Sequence, residues 1–520
     1  MAESTEVSHA ETKPGETRAI VLAGLVLAAF VAIAWLIRAP GIGPANDDAV
    51  YLFLSRAIKA GTYRNDFLLV PTFHGQYPPG WPLVIALVTT LVGGEQVTAI
   101  VLVSIASVAG GFALVFDLVR ERVGATRALV VLVLLAANPF FLGIASMPLS
   151  DGFFFFLAML AIWALQRSSA RSDRWAYLAL TAAAGSFAVR TAGVAVLGAV
   201  VLTFVGRRRW RLAFGAAVVA ATVVGGWLAW SAAVDTRQAG RSYLAEFAPG
   251  SLVPSGLGQV ASDVTTLHKV LGFPRVEGTS VENLAFVGLF LGLALVSAAR
   301  LWREYRPVVW MTLLYLGLLV VYPWGLPRYF LPLLPGLLLM SVIGIDRLGR
   351  SLAPRWQWGL LLGFAAVLLP RSLGGVRSEL TTMAQCDRRD PIGSAHCWGP
   401  RERAFLATAQ WARALPDSVI VATPHEASFG YYSGKRVAAF DPETPPARIG
   451  LLVDQGADLF VVERRPPRAD GVRRADPTLS TVCDRLDLER QVMGITHVFR
   501  LSGSSNTRNA VCSLLKDGRW

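Results

Sequence analysis

Charge is what this chain has least of. Asp, Glu, Lys and Arg together make 16% of its 520 residues, against 53% hydrophobic. So little charge cannot solvate a soluble protein of this length, and a mean hydropathy of +0.48 marks a polytopic membrane protein. Cysteine is scarce too. There are four, Cys386, Cys397, Cys483 and Cys512, all beyond the last apolar run, so no thiol lies in a span. A P-loop, a GxGxxG fingerprint, a GxSxG elbow and an HExxH pair are absent, which removes the sequence signatures of NTP, dinucleotide, serine-hydrolase and zincin chemistry. No internal repeat stands out. The net charge of +13 does not describe a nucleic-acid-binding face, because the basic residues lie in short clusters between apolar runs.

What the sequence does contain is a series of apolar runs. The first, Ala19–Ile37, has the roughly 19-residue length of a span. It follows a mixed-charge stretch, residues 1–18, and lacks a small-residue cleavage site, so it reads as a retained anchor. Further spans are expected at Val97–Val119, Leu129–Ile144, Gly152–Leu165, Ala176–Val189, Ala192–Val205, Leu212–Ala233, Leu284–Ala299, Val308–Tyr322, Tyr329–Ile345 and Gly359–Pro370. Trp81–Leu91 is too short to cross upright and reads as an interfacial helix. One alternating set of loops carries the basic clusters at Arg120–Arg127, Arg167–Arg174, Arg207–Arg211, Arg300–Arg306 and Arg347–Arg355. The positive-inside rule places these loops and the N-terminus in the cytoplasm, and about eleven spans then put the C-terminus outside. The expectation is a multi-pass protein of the cell (inner) membrane, with residues 19–370 as its transmembrane domain.

Residues 371–520 are soluble in character. Glu402–Leu415 and Pro446–Gln455 have helical spacing, and Ser418–Ala422 and Asp458–Val462 are strand-like, predicting a small extracytoplasmic α/β domain. His425 and Glu426 follow the first of these strands, where α/β folds often place sites, although a loop histidine without a role is the plainer reading. The even cysteine count predicts disulfides Cys386–Cys397 and Cys483–Cys512 in an oxidising compartment; free thiols are the alternative. Zinc on Cys386, His396 and Cys397 lacks any paired ligand spacing.

Polar residues converge on the outer side. The island Pro44–Pro82, within an outer loop at 38–95, carries Asp47 and Asp48 directly after the first span. Capping of the helix that follows would account for such a pair, but acids beside a low-dielectric medium are costly and are commonly kept for function. The turn ending in Asp151, the hairpin tip at Arg190 and the segment with Arg328 and Tyr329 share that side, and a long loop at 234–283 can cover them as a lid. A carboxylate there can act as general base toward a hydroxyl, and arginines can hold a phosphate with their planar fork.

The segments NDDAVYLFLSRAIKAGTY and YPPGWPLVIALVTTLVGG resemble the start of the polyprenyl-phosphate-sugar glycosyltransferases of the GT-C fold, the superfamily of protein O-mannosyltransferases and aminoarabinose transferases. Asp47, Asp48, Tyr51, Pro78 and Pro79 match its acid pair, tyrosine and Pro-Pro stretch in order, and NPFFLGIASMPLSD, AVRTAG and PRYFLPLLPGL resemble later segments; the match runs over about residues 19–345. The resemblance implies a GT-C-like polytopic α-helical protein that acts as an inverting glycosyltransferase. It would move a monosaccharide from a polyprenyl-phosphate donor to a glycan, lipid or protein acceptor at the outer membrane face. Asp47 and Asp48 would be catalytic, and Tyr51, His74, Tyr77, Asp151, Arg190, Arg328 and Tyr329 would bind substrate. The chain departs from the pattern where Asp48 replaces the commoner Glu and where Tyr77 stands in place of a basic residue before Pro-Pro, with His74 as the expected substitute contact to phosphate or acceptor. A divalent cation would fall to Asp48 and Asp151. A transporter or flippase of a lipid-linked substrate, or an oligosaccharide ligase, is the competing expectation.

Overall fold

A computed structural model describes residues 14–43, 46–168, 173–234, 256–271, 281–302, 304–321, 326–352, 356–394, 396–440, 452, 456–463, 479 and 483–501. Every run read as a span is helical, as lipid demands of a backbone that must satisfy its own hydrogen bonds. Among the described residues five helices are long and apolar enough to cross a bilayer: Gly15–Leu36, Val97–Val123, Trp210–Ala233, Pro327–Gly349 and Trp356–Ala384. The run read as one span at Leu129–Ile144 is instead the pair Ala125–Ala136 and Pro139–Ala145, bent by 67°. Asn138, before Pro139, causes the break: its side chain caps the second helix, and proline cannot continue the first. With that pair as one span the count by length and composition is six, against about eleven expected. The other expected spans are the shorter helices Ser150–Arg167, Arg174–Val189, Thr191–Gly206, Val281–Leu301 and Arg306–Val321. The last span does not stop at Pro370 but runs through it to Ala384.

The helix containing Pro327–Gly349 lies at the centre, with 94% of its apolar window buried, whereas Trp210–Ala233 is peripheral at 11%. An aromatic cluster joins the N-terminal helices: Phe112 lies 5.0 Å from Phe30 and 4.9 Å from Phe141, which lies 5.0 Å from Phe155. The basic loops meet at one end of the bundle, where Arg122 pairs with Glu304 at 2.9 Å, Arg167 with Asp117 and Glu121, and Arg207 donates to the Leu165 carbonyl.

At the other end, the first loop forms a short antiparallel ribbon of β1 (Arg64–Asn65) and β2 (Thr72–Phe73). The C-terminal domain holds a five-stranded sheet of β3 (Ile420–Thr423), β4 (Val437–Ala439), β5 (Ala457–Glu463), β6 (Leu486–Val492) and β7 (Thr496–Leu501), in spatial order β4-β3-β5-β7-β6. The first three strands pair in parallel and the last two add antiparallel. Helices Pro400–Arg413 and Glu426–Ser433 pack on it. The helix expected at Pro446–Gln455 lies outside the described residues apart from Leu452. Cys386 and Cys397 form the expected disulfide, with Cα atoms 4.6 Å apart, which removes both sulfurs from any zinc site. Cys483 is disulfide-bonded; its expected partner Cys512 lies outside the described residues.

This domain sits on the first loop. Leu69 donates its amide to the Val437 carbonyl at 2.8 Å and Val437 donates to Phe67 at 3.0 Å, so the loop covers the free edge of β4. Asn46 adopts a left-handed φ of 69°, a conformation Asn tolerates better than most residues. It precedes the helix Asp47–Lys59 without capping it. Its Oδ1 instead accepts from the amides of Ala427 and Ser428, at 2.8 and 3.2 Å, and caps the helix Glu426–Ser433 from across the chain.

Candidate active site

Asp47 and Asp48 open the helix Asp47–Lys59. Successive helical residues diverge by about 100° around the axis, so the two carboxylates have different surroundings. Asp47 Oδ2 accepts from Arg328 Nη2 at 2.5 Å and Oδ1 accepts from the Tyr77 hydroxyl at 2.8 Å. Asp48, 3% exposed, accepts the amides of Gly43 at 2.5 Å and Ala49 at 3.0 Å. Burial drives its pKa up from the ordinary 3.8 to about 7, with the Asp47 charge a lesser contribution and the amides opposing.

A second acid–arginine pair faces the first. Asp151, at the start of the helix Ser150–Arg167, meets Arg190 at 2.8 Å. Arg190 follows the helix Arg174–Val189, which the first loop approaches so closely that a Cβ on Gly80 would lie 2.6 Å from the Ala188 carbonyl oxygen; glycine is required there. Both guanidinium groups lie over Tyr329, 5.2 Å from its ring for Arg190 and 5.3 Å for Arg328. Arg328 Nε is buried with no hydrogen-bond partner, a donor that calls for an oxygen from outside the protein.

The tyrosines frame these charges. Tyr51, buried, has its hydroxyl 3.0 Å from Ser150 Oγ, which also accepts from Arg190 at 3.2 Å. Tyr51 and Tyr77 rings are 5.1 Å apart. His74 sits behind Tyr77: its Nε2 accepts the Tyr77 amide at 2.8 Å and Nδ1 donates to Asn65 Oδ1 at 2.7 Å, while the rings stack at 5.3 Å. Burial lowers its pKa to about 3, so the neutral ring fixes Tyr77 and carries no charge. Beside this group lies a mostly apolar cavity of about 200 Å³, lined among others by Tyr51, Tyr77, Arg190, Trp227, Tyr315 and Tyr329.

The structure therefore joins Asp47, Tyr51, Tyr77, Asp151, Arg190, Arg328 and Tyr329 into one network, with His74 one layer behind, whereas Asp48 lines a separate cavity. Sequence reasoning missed Ser150, the bridge between Tyr51 and Arg190, whose only signal was its place beside Asp151. It also missed Asn46, whose neighbour in the sequence hid its distant use. Of the two acids considered for a cation, Asp151 pairs with Arg190 and Asp48 accepts two amides, and among the described residues no three His, Cys, Asp or Glu side chains gather. Of the lid-like loop at 234–283, residues 235–255 and 272–280 lie outside the described residues. The rest holds a helix, Gly256–Leu271, whose Val270 carbonyl accepts from Asn138 at 2.7 Å.

The family model of dolichyl-phosphate-mannose-protein mannosyltransferases matches residues 76–230. No curated protein sequence matches the chain. Among solved structures, ArnT from Cupriavidus metallidurans bound to undecaprenyl phosphate superposes with a TM-score of 0.54 at 15% identity, covering 94% of this chain and 100% of that one. The oligosaccharyltransferase AglB from Archaeoglobus fulgidus, in complex with an inhibitory peptide and a dolichol phosphate, gives 0.53 at 12% identity, over 85% and 69%. Both are GT-C glycosyltransferases, and the chain has the GT-C membrane-protein fold.

Proposed function

Taking that fold as the premise, we propose that the chain is an inverting glycosyltransferase that moves a monosaccharide from a polyprenyl-phosphate donor to a hydroxyl acceptor at the outer membrane face. The observation that carries the reading is the pair of arginines converging over Tyr329 beside an apolar cavity, one with an unsatisfied buried N–H. A polyprenyl phosphate has the matching halves, a chain for the cavity and phosphate oxygens for the guanidinium forks.

The reaction follows from what the residues can hold. The acceptor oxygen attacks the anomeric carbon, the bond from that carbon to the phosphate oxygen breaks, and the lipid phosphate departs with the bonding electrons. Arg190 and Arg328 stabilise the charge that grows on it. Asp47 takes the acceptor's proton. Before the donor binds, Asp47 is held by Arg328 and Tyr77. A phosphate that draws Arg328 away frees the carboxylate to meet the acceptor as the sugar arrives. No metal-dependent step is needed in this scheme.

The test is Asp47→Asn in purified protein supplied with a polyprenyl-phosphate sugar. Transfer should fall on the order of 10²-fold or more with donor binding retained. Near-normal turnover by that variant at neutral pH removes Asp47 from the base role.

A further inference from the structure

We propose that the polar cavity on the Asp48 side of the acid pair is the acceptor's seat, and that it is built for a carbohydrate without negative charge. The inference rests on the glycosyl-transfer reading and adds the acceptor's chemical class. The cavity measures about 810 Å³, within the ~300–1,000 Å³ of ligand sites. It is enclosed by the first loop, the end of the helix Trp356–Ala384 and the C-terminal domain, and its polar lining includes Asp48, Glu379, Glu402, His396, His425 and Trp398.

Three observations set the ligand's chemistry. Among the described residues Arg401 is the one Lys or Arg in the lining, against the carboxylates of Glu379 and Glu402 and the acid Asp48, so a phosphate or uronate would meet repulsion here, whereas the cavity beside Arg190 suits an anion. Carboxylates accept hydrogen bonds from hydroxyl groups, which a sugar offers in number. Trp398 supplies an indole face against which the C–H face of a sugar ring can pack, and its Nε1–H is buried without a protein partner. Gly43 brings these elements together: its absent Cβ would lie 3.2 Å from Asp48 Oδ2 and 3.5 Å from the Trp398 ring. A sugar stacked on Trp398 therefore lies beside Asp48, one residue from Asp47. The Cys386–Cys397 disulfide fixes the segment that presents the indole.

The test uses the full-length protein in lipid nanodiscs on a printed array of neutral, amino and acidic glycans, with a Ser/Thr-containing peptide and phosphatidylglycerol vesicles as competitors. Polyprenyl-phosphate binding is measured in parallel. Neutral or amino glycans should be retained in preference to acidic ones. Trp398→Ala should weaken them about tenfold or more, as truncating an aromatic anchor does, Trp398→Phe should restore part of the binding, and Glu379→Gln, at an exposed position, should weaken it without affecting the fold. Polyprenyl-phosphate binding should be the same in all four proteins. No glycan binding, preference for acidic glycans, displacement by the peptide or vesicles, or indifference to Trp398→Ala each overturns the proposal while leaving the donor reading intact. Failure of wild-type protein to bind polyprenyl phosphate counts against the donor reading instead, and the array still decides the acceptor's class.

Discussion

Asp48→Asn replaces a buried carboxyl with a group of the same shape that does not titrate. Burial holds the wild-type pKa at about 7, against 3.8 ordinarily. Between those values the folded protein keeps a proton that the unfolded chain has released, so stability falls as pH rises through the window and is level above it. At about 1.4 kcal/mol per pH unit the whole interval is worth about 4 kcal/mol, of which about 2–3 kcal/mol lies between pH 5 and 7. The variant lacks that slope. Thermal melting of both proteins in detergent from pH 5 to 8 should show the wild type losing a few degrees relative to Asp48→Asn. Parallel profiles would mean that Asp48 does not retain its proton on folding. Transfer rates over the same range add a second reading: an activity limb near pH 7 that vanishes in the variant would give the base role to Asp48 rather than Asp47.

Arg190→Lys and Arg328→Lys should each weaken binding of a polyprenyl phosphate and leave it unrescued, because an ammonium lacks the bidentate fork; unchanged affinity and rate in Arg328→Lys would reduce its role to pairing with Asp47. Asn46→Ala removes the cap from the helix Glu426–Ser433 and forces alanine into a left-handed conformation, costing about 1–3 kcal/mol together; limited proteolysis of the C-terminal domain should accelerate, and unchanged cleavage would show that Asn46 does not hold the domain to the loop. An impermeant maleimide should label intact spheroplasts at Cys386 and Cys397 only after reduction; labelling that requires opening the membrane would put the domain in the cytoplasm.

How much of this could be read from the sequence depended on how local the signal was. Apolar runs set the helices within a few residues, because a backbone in lipid has no other partners, yet Asn138 bent one run and Pro370 failed to end another. Asp47, Arg190 and Arg328 could be named because charge is rare near a membrane face. Their pairing could not: nothing along the chain says that Asp47 meets Arg328 and Asp151 meets Arg190. The polar cavity was less legible still. Its walls come from residues near 43, 379, 398 and 425, each unremarkable in its own segment, and His425 looked like an ordinary loop histidine until the domain was seen resting on the loop that carries Asp48.

The cap that Asn46 provides spans 381 residues of sequence, and this gives the site a position in time. A ribosome delivers Asp47 long before Ala427, so the acid pair is made well before the segment that fixes its loop exists. Contacts of such separation are the slowest to form. A chain cut before Ala427 would lack the amides that anchor this loop. Holding the loop of Asp47 and Asp48 in place thus depends on a segment made far later in synthesis than the acids themselves.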